Sequence, residues 1–422
     1  MNERSLQKSR DRGLLRNHLE MKILYAGTGY KPAYRLGGPI VSVSAAAETL
    51  VRKGHEVTVV TTTANNDQDL DVPLGVPVDV EGVEVWYFRR EEPLKKLLPF
   101  VPYLSRSIGF LYAPEMRAAL ERLVPEVDVV HTQGPFVYPS YAAAHAAQRH
   151  RKPLVYSQRG CFAEERLRFR SLKKKLYIKA IEKPMMRQAK VLIALAEAER
   201  ASYRALGMKT PVAVVPNGVS IPAPRPDAAA RVQARFGIVP DARLILFLGR
   251  LHPIKGTDKL LEAFLRVMDD FPDSVLMIAG PDEWGLERQW QERARGLIAN
   301  RILFPGMIGG EEKADVLARA DLFCLPSLAE GFSNAVLEAL ASATAVMLSP
   351  SCNFPEVERA EAGVIVDPDP ARMEVAMRSL LRDPVALRHM GEAGQRLVAE
   401  HYSWDFITDR LVELYASVVA AA

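Results

Sequence analysis

From Met21 onward, short aliphatic and β-branched runs alternate with longer stretches whose apolar positions recur every three or four residues. In the first half the runs are Ile23–Ala26, Val57–Thr61, Val83–Phe88, Val129–His131, Leu154–Ser157, Val191–Ala194 and Val212–Val215. In the second half they are Leu244–Gly249, Val275–Ala279, Ile302–Phe304, Leu322–Leu325, Ala345–Leu348 and Val364–Val366. Short runs of this kind predict strands, and segments such as Ile40–Lys53 and Thr257–Asp270 predict amphipathic helices between them. Regular strand–helix alternation implies parallel sheets covered on both faces, an α/β class.

The pattern divides in two. Pro216-Asn-Gly-Val-Ser-Ile-Pro-Ala-Pro-Arg-Pro cannot continue a helix or a central strand, so 216–226 reads as a linker. It separates a Rossmann-like domain at 21–215 from a second at 227–403. The closing segment 404–422 carries Phe406, Leu411, Leu414, Tyr415 and Val418 at helical spacing. It is expected to pack back on the first domain. Residues 1–20 are polar and basic without an apolar stretch, and read as a disordered tail rather than a secretory signal. The mixed segment Arg89–Arg117 fits an ordered insertion, a loop or a lipid-touching surface.

Composition narrows the class. At 422 residues with 48% hydrophobic positions, each half can bury its own core. The net charge is only +4, yet 151–190 holds 13 Lys or Arg against 3 acidic residues. Such a local basic surface suits phosphates or an anionic membrane face, not a nucleic-acid polycation. Cys161, Cys324 and Cys352 are too few and too scattered for a disulfide framework or a zinc site. They fit a reducing, cytoplasmic setting.

Three places carry candidate chemistry. Gly37-Gly38, ahead of a helix, lets the backbone approach an anion at the helix start; a tight turn explains the pair equally well. Gly249-Arg250 through Lys255-Gly256 follows a predicted strand, at the sheet edge where open α/β folds bind ligands. Two cations there suit a pyrophosphate. Glu330 precedes a helix start that Ser333 or Asn334 would cap, and Glu338 lies about one turn inside it. The pair can flank a diphosphate aimed at by the helix start.

Gly249-Arg250…Lys255-Gly256 together with Glu330 and Glu338 resembles the retaining glycosyltransferases of family 4, in the surface-polysaccharide type. Gly37-Gly38, Pro216-Asn217-Gly218, Pro326-Ser327 and Tyr402-Ser-Trp404 belong to the same resemblance. It implies the GT-B fold, two Rossmann-like domains facing across a cleft. Arg250 and Lys255 would then hold the donor diphosphate, Glu330 the transferred sugar and Glu338 the ribose. Backbone at Phe332, Ser333 and Asn334 would contact phosphate, and backbone near Met307 the base. Gly37, Gly38 and Gly249 would complete the donor site. Where relatives place a catalytic His, Arg159 stands here, and His131 is a second candidate.

No Asp-x-Asp pair stands at the expected diphosphate site, so no metal and no cofactor is expected. The donor would be a UDP- or GDP-sugar, and the acceptor a polyprenyl-diphosphate-linked or oligosaccharide molecule in cell-surface polysaccharide biosynthesis. Nucleic acid is not an expected partner. The basic stretch Arg166–Lys183 reads as a helix with Leu172, Leu176 and Ile181 on one face, suited to peripheral docking on the inner membrane leaflet. Rival readings are transfer to a small soluble sugar phosphate, a nucleotide-sugar epimerase, and a catalytically silent nucleotide-sugar-binding protein.

Overall fold

The structure is a computed structural model that describes residues 20–91, 111–162, 175–282, 284–293 and 301–422. The basic tail expected at 1–20 lies outside them apart from Glu20. So do most of Arg89–Arg117 and the stretch containing Arg166 and Leu172.

Among the described residues, the first domain has ten strands: β1 (Lys22–Gly27), β2 (Glu56–Thr62), β3 (Ala64–Asn65), β4 (Gln68–Asp69), β5 (Pro77–Val80), β6 (Val83–Phe88), β7 (Val129–Gln133), β8 (Leu154–Ser157), β9 (Val191–Ala194) and β10 (Val212–Val214). Eight of them form one sheet in the order β10-β9-β8-β7-β1-β2-β6-β5, and β3 pairs with β4 as a small hairpin. All neighbours in the large sheet run parallel except β5, which pairs antiparallel with β6. β5 is absent from the sequence reading because it alternates polar and apolar positions at an edge, Pro-Val-Asp-Val, and lacks an apolar run.

The second domain holds a fully parallel sheet of six strands: β11 (Arg243–Leu248), β12 (Ser274–Ala279), β13 (Ile302–Gly306), β14 (Leu322–Leu325), β15 (Ala345–Leu348) and β16 (Gly363–Ile365). Their order is β13-β12-β11-β14-β15-β16. The central strands β12, β14 and β15 are buried along their whole length, as a sheet with helices on both faces demands.

Seven helices matter for the site: α1 (Gly38–Arg52), α2 (Tyr138–Arg149), α3 (Glu197–Ala205), α4 (Thr257–Val267), α5 (Asn334–Ala341), α6 (Pro384–His401) and α7 (Trp404–Ala420). α2 covers one face of the first sheet with Ala142, Ala143, Ala146 and Ala147. The other face is covered by α1 and by α7, whose Trp404, Ile407, Leu411, Tyr415 and Val418 share a core with Ile23, Tyr25, Val57 and Val59. The final helix thus belongs to the first domain although it follows the second in sequence.

The chain crosses between domains twice, and the two crossings are bonded together. Val219 N–H donates to Tyr402 O at 2.7 Å, and Trp404 N–H donates to Val219 O at 3.2 Å. Gly218 admits the packing: a Cβ there would lie 2.6 Å from the Trp404 ring.

The basic helix differs from its sequence reading. From Lys175 it runs through a π-type turn at Ile178–Glu182 into Lys183–Gln188. Its inward residues are Ile178, Met185 and Met186, while Leu176 is 67% exposed beside Lys175 and Lys179. Ile181 packs half-buried against the same core, as its spacing suggested; Leu176 does not, because the extra residue of the wide turn rotates the apolar face away from it.

Candidate donor site between the domains

Two loops of the second domain lock together first. β11 ends at Leu248, Gly249 and the exposed Arg250 follow on the rim, and a short turn at Pro253–Lys255 leads into α4. The His252 ring accepts from Ile254 N–H at 3.0 Å and holds that turn. Gly256 has φ +66°, and a Cβ on it would stand 2.2 Å from Pro326 O. No other residue type lets the loops lie this close. Leu328 N–H donates to Ile254 O at 2.7 Å, joining the loop after β11 to the loop after β14.

That junction puts Lys255 against Glu330. The ammonium donates to Glu330 Oε1, and Ser327 Oγ donates to the same oxygen at 2.9 Å. The side chains are 16% and 7% exposed. Asn353 Nδ2 donates to the Glu330 backbone carbonyl at 3.0 Å. A fixed cation and a fixed carboxylate therefore sit side by side ahead of α5, where free backbone N–H groups favour an anion.

Glu338, inside α5, receives a hydrogen bond from Lys313 Nζ at 2.9 Å. Met307 lies 67% exposed on the loop after β13. Ser333 is the residue preceding α5, but neither it nor Asn334 caps the helix with its side chain. Asn334 reaches outward instead, its Nδ2 donating to the Gly38 carbonyl of the first domain at 3.1 Å.

The first domain meets this edge along a narrow line. Gly38 opens α1 directly after Gly37, which has φ +86°. Gly160, just past β8, faces Gly331: a Cβ on Gly331 would lie 2.8 Å from Gly160 Cα. Bare backbones touch there. Beside them Arg159 takes φ +48° and turns its side chain back beneath the cleft. Its Nε donates to Gln133 Oε1 at 2.7 Å, and its Nη1 donates to Ser42 Oγ at 3.3 Å and Asn217 Oδ1 at 3.0 Å. Burial lowers the guanidinium pKa, while the Tyr25, Glu199 and Tyr415 side chains act to raise it.

His131 sits deeper, 2% exposed, in the middle of β7. Nε2 meets Ser157 Oγ at 2.7 Å, and Nδ1 meets Tyr415 Oη at 2.7 Å and Gln133 Nε2 at 3.1 Å. Burial and then the Arg159 charge hold its pKa well below the usual imidazole value, so the ring is neutral. Both ring nitrogens are engaged within the first domain, which gives His131 the setting of a support for Gln133 and Arg159.

The structure thus brings Lys255 to Glu330, Gly38 to Asn334, and Arg159 to the same edge through Asn217. It pairs Glu338 with Lys313 and leaves Arg250 and Met307 on exposed rims. Sequence reasoning gave no role to Gln133, Ser42, Asn217, Ser327 or Lys313. For Asn217 a signal was present in Pro216-Asn217-Gly218, where the proline and glycine drew the reading toward chain reversal. A crevice of about 730 Å³ lies beside the linker, lined by Pro216, Phe332, Tyr402 and Arg410 among others. Of the residues expected to bind the donor it touches only Phe332. Among the described residues, no three His, Cys, Asp or Glu side chains gather so as to hold a metal ion. No helix among them is long and apolar enough to cross a membrane.

Comparison with known proteins agrees with this architecture. Residues 36–221 match the family described as Glycosyltransferase Family 4, and residues 242–383 match Glycosyl transferases group 1. A D-inositol 3-phosphate glycosyltransferase of Streptomyces avermitilis is 33% identical over 221 residues, 50% of this chain and 47% of that protein. A phosphatidyl-myo-inositol mannosyltransferase of Mycobacterium leprae is 32% identical over 211 residues, 49% of this chain and 54% of that protein. The chain spans about half the length of the curated relatives it matches. Among solved structures, Anabaena HepE in complex with UDP and glucose superposes with a TM-score of 0.71 at 18% identity, covering 94% of this chain and 100% of that one. Sucrose-phosphate synthase from Thermosynechococcus elongatus gives 0.69 at 21% identity, covering 96% and 100%. The chain therefore has the GT-B fold, joining a Glycosyltransferase Family 4 segment to a Glycosyl transferases group 1 segment.

Proposed function

We propose that the chain is a retaining glycosyltransferase that takes a sugar from a nucleoside-diphosphate sugar. The observation that carries this reading is the meeting of the Lys255–Glu330 pair with the starts of α1 and α5, from opposite domains, at one line of contact. Lys255 and the helix starts would stabilise the departing diphosphate. Arg250, on the neighbouring rim, would add a bidentate contact. Glu330 would orient sugar hydroxyls, and Glu338 would take the ribose in exchange for Lys313. The bond from the anomeric carbon to the phosphate oxygen breaks. The acceptor oxygen bonds to that carbon from the same face, and its proton passes to the leaving phosphate oxygen. These groups supply the positive charge themselves, so transfer is proposed to run without a metal; a chelator that abolished activity, with magnesium restoring it, would refute this.

The acceptor is proposed to be a phosphate-bearing molecule. Both relatives named above carry inositol and a phosphate or phosphatidyl group in their names, which favours this chemistry over a neutral sugar. A lipid-linked acceptor in cell-surface polysaccharide assembly remains the proposed setting. Support comes from Lys175, Leu176, Lys179 and Arg187, all exposed along the basic helix and suited to anionic headgroups. Flotation with phosphatidylglycerol and phosphatidylcholine vesicles tests it, and equal recovery from both sinks the docking idea.

The deciding experiment is a thermal-shift screen with UDP, GDP, UDP-glucose and GDP-mannose. A nucleotide that binds the folded chain raises its melting temperature. Lys255→Ala and Glu330→Ala should weaken that response. No shift with any of the four overturns the donor assignment.

A further inference from the structure

We propose that Asn217 is a positioning residue that ties closure of the two domains to placement of the Arg159 guanidinium. The inference rests on the transferase reading above.

Hydrogen-bond polarity fixes the orientation of each amide between Arg159 and Gly38. Asn217 Oδ1 accepts from Arg159 Nη1 at 3.0 Å, and Asn217 Nδ2 donates to Asn334 Oδ1 at 2.8 Å. Asn334 Nδ2 then donates to Gly38 O at 3.1 Å. Carboxamide orientation is ordinarily ambiguous, but both ends of this chain remove the ambiguity. A guanidinium can only donate and a backbone carbonyl can only accept. Each amide between them is therefore forced into one orientation, and the run of donors points one way from Arg159 to Gly38.

Placement gives the chain its meaning. Arg159 and Gly38 belong to the first domain, Asn334 to the second, and Asn217 to the linker. Asn217 is 7% exposed, so neither of its polar groups is readily satisfied by water. If the domains part, Asn334 leaves with α5, Asn217 Nδ2 loses its acceptor, and the carboxamide is free to turn away from Arg159. On closing, the same contact that docks α5 against α1 re-aims Asn217 and with it the guanidinium. Arg159 makes no hydrogen bond to a carboxylate among the described residues; its partners are two amides and a hydroxyl. Its hydrogen bonds thus all go to neutral groups, while the Glu199 carboxylate acts on it through charge alone, so the aim of the guanidinium depends on the geometry of those neutral partners.

The test uses the full chain with UDP-glucose and GDP-mannose as donors, following release of nucleoside diphosphate with and without acceptor extract. Nucleotide affinity is measured by calorimetry, and domain closure by small-angle scattering with and without UDP or GDP. Asn217→Ala should lower kcat at least tenfold while nucleotide Kd stays within threefold, and should shift the scattering toward a larger radius. Asn217→Asp keeps the shape and the bond from Arg159 but cannot donate to Asn334, and should lose kcat as well. Asn334→Ala breaks the same chain from the second domain. Combining it with Asn217→Ala should cost less than a further twofold, because the link is already broken. Losses that multiply, or an Asn217→Ala chain with native kcat and native scattering, overturn the inference. A native chain that neither binds nucleotide nor turns over donor sinks the transferase reading instead, and scattering of Asn217→Ala then judges the latch by itself.

Discussion

Arg159 donates from Nε to Gln133 Oε1 at 2.7 Å, and this contact decides which nitrogen of His131 carries the proton. With Oε1 committed to Arg159, Gln133 Nε2 faces His131 Nδ1, so that nitrogen must accept. Tyr415 Oη then donates to Nδ1 as well, and Nε2–H donates to Ser157 Oγ. One cation at the cleft edge thereby orders a buried polar network reaching to Tyr415 of the last helix.

This network predicts a pH dependence of stability. The folded chain keeps His131 neutral, while the unfolded chain takes up a proton there near pH 6.5. Below that pH the unfolded state binds more protons, so stability is lost as the pH falls, by at most about 1.4 kcal/mol per pH unit for this one group. Urea melts at pH 7.5, 6.5 and 5.5 should show the loss, and His131→Asn should flatten its slope between pH 6.5 and 5.5.

Removing Arg159 should act on His131 in the opposite sense. Its positive charge is the second cause of the low imidazole pKa, after burial. In Arg159→Ala the imidazole should titrate at a higher pH than in the native chain, followed by its ring proton resonances. Arg159→Lys should not rescue activity, because an ammonium cannot span Gln133 and Asn217 with the reach of the planar fork.

Lys255→Ala should reduce kcat about 100-fold through loss of charge stabilisation at the leaving diphosphate. It also strips Glu330 of its ion pair, leaving Ser327 as the side-chain donor to Oε1. A drop in melting temperature of a few degrees should accompany the kinetic loss. Glu330→Gln in the same background should recover stability without recovering kcat, since it removes the stranded charge but not the defect at the phosphate. Steady-state kinetics and thermal melts of the three chains check both halves.

Gly331→Ala should block closure while leaving the second domain folded. Its Cβ would lie 2.8 Å from Gly160 Cα, and a backbone neighbour cannot swing aside as a side chain can. Transfer should fall about tenfold or more, the scale on which small misplacements of reacting groups act. Gly309→Ala, with nothing within 4 Å of the added carbon, serves as the neutral control.

Much of this architecture was legible in the sequence, and the reason is burial. Strands such as β12, β14 and β15 lie under helices on both faces, so their apolar runs stand out against polar surroundings. β5 escaped because an edge strand needs no such run. Lys255 and Glu330 were readable because a cation and a carboxylate at strand ends have few structural uses. Asn217 and Gln133 were not, since an amide gains its role only from what the fold places on either side of it. Asn334 shows the same limit: its type and place suggested a helix cap, and the opposing domain offered its side chain a different partner.

The return of α7 to the first domain has a consequence for biosynthesis. Tyr415, Leu411 and Val418 complete a core begun by Ile23 and Tyr25, yet they leave the ribosome after the whole second domain has been made. Domains usually mature in the order of their synthesis. Here the domain translated first must wait, partly uncovered, for the one translated second, and it is finished last.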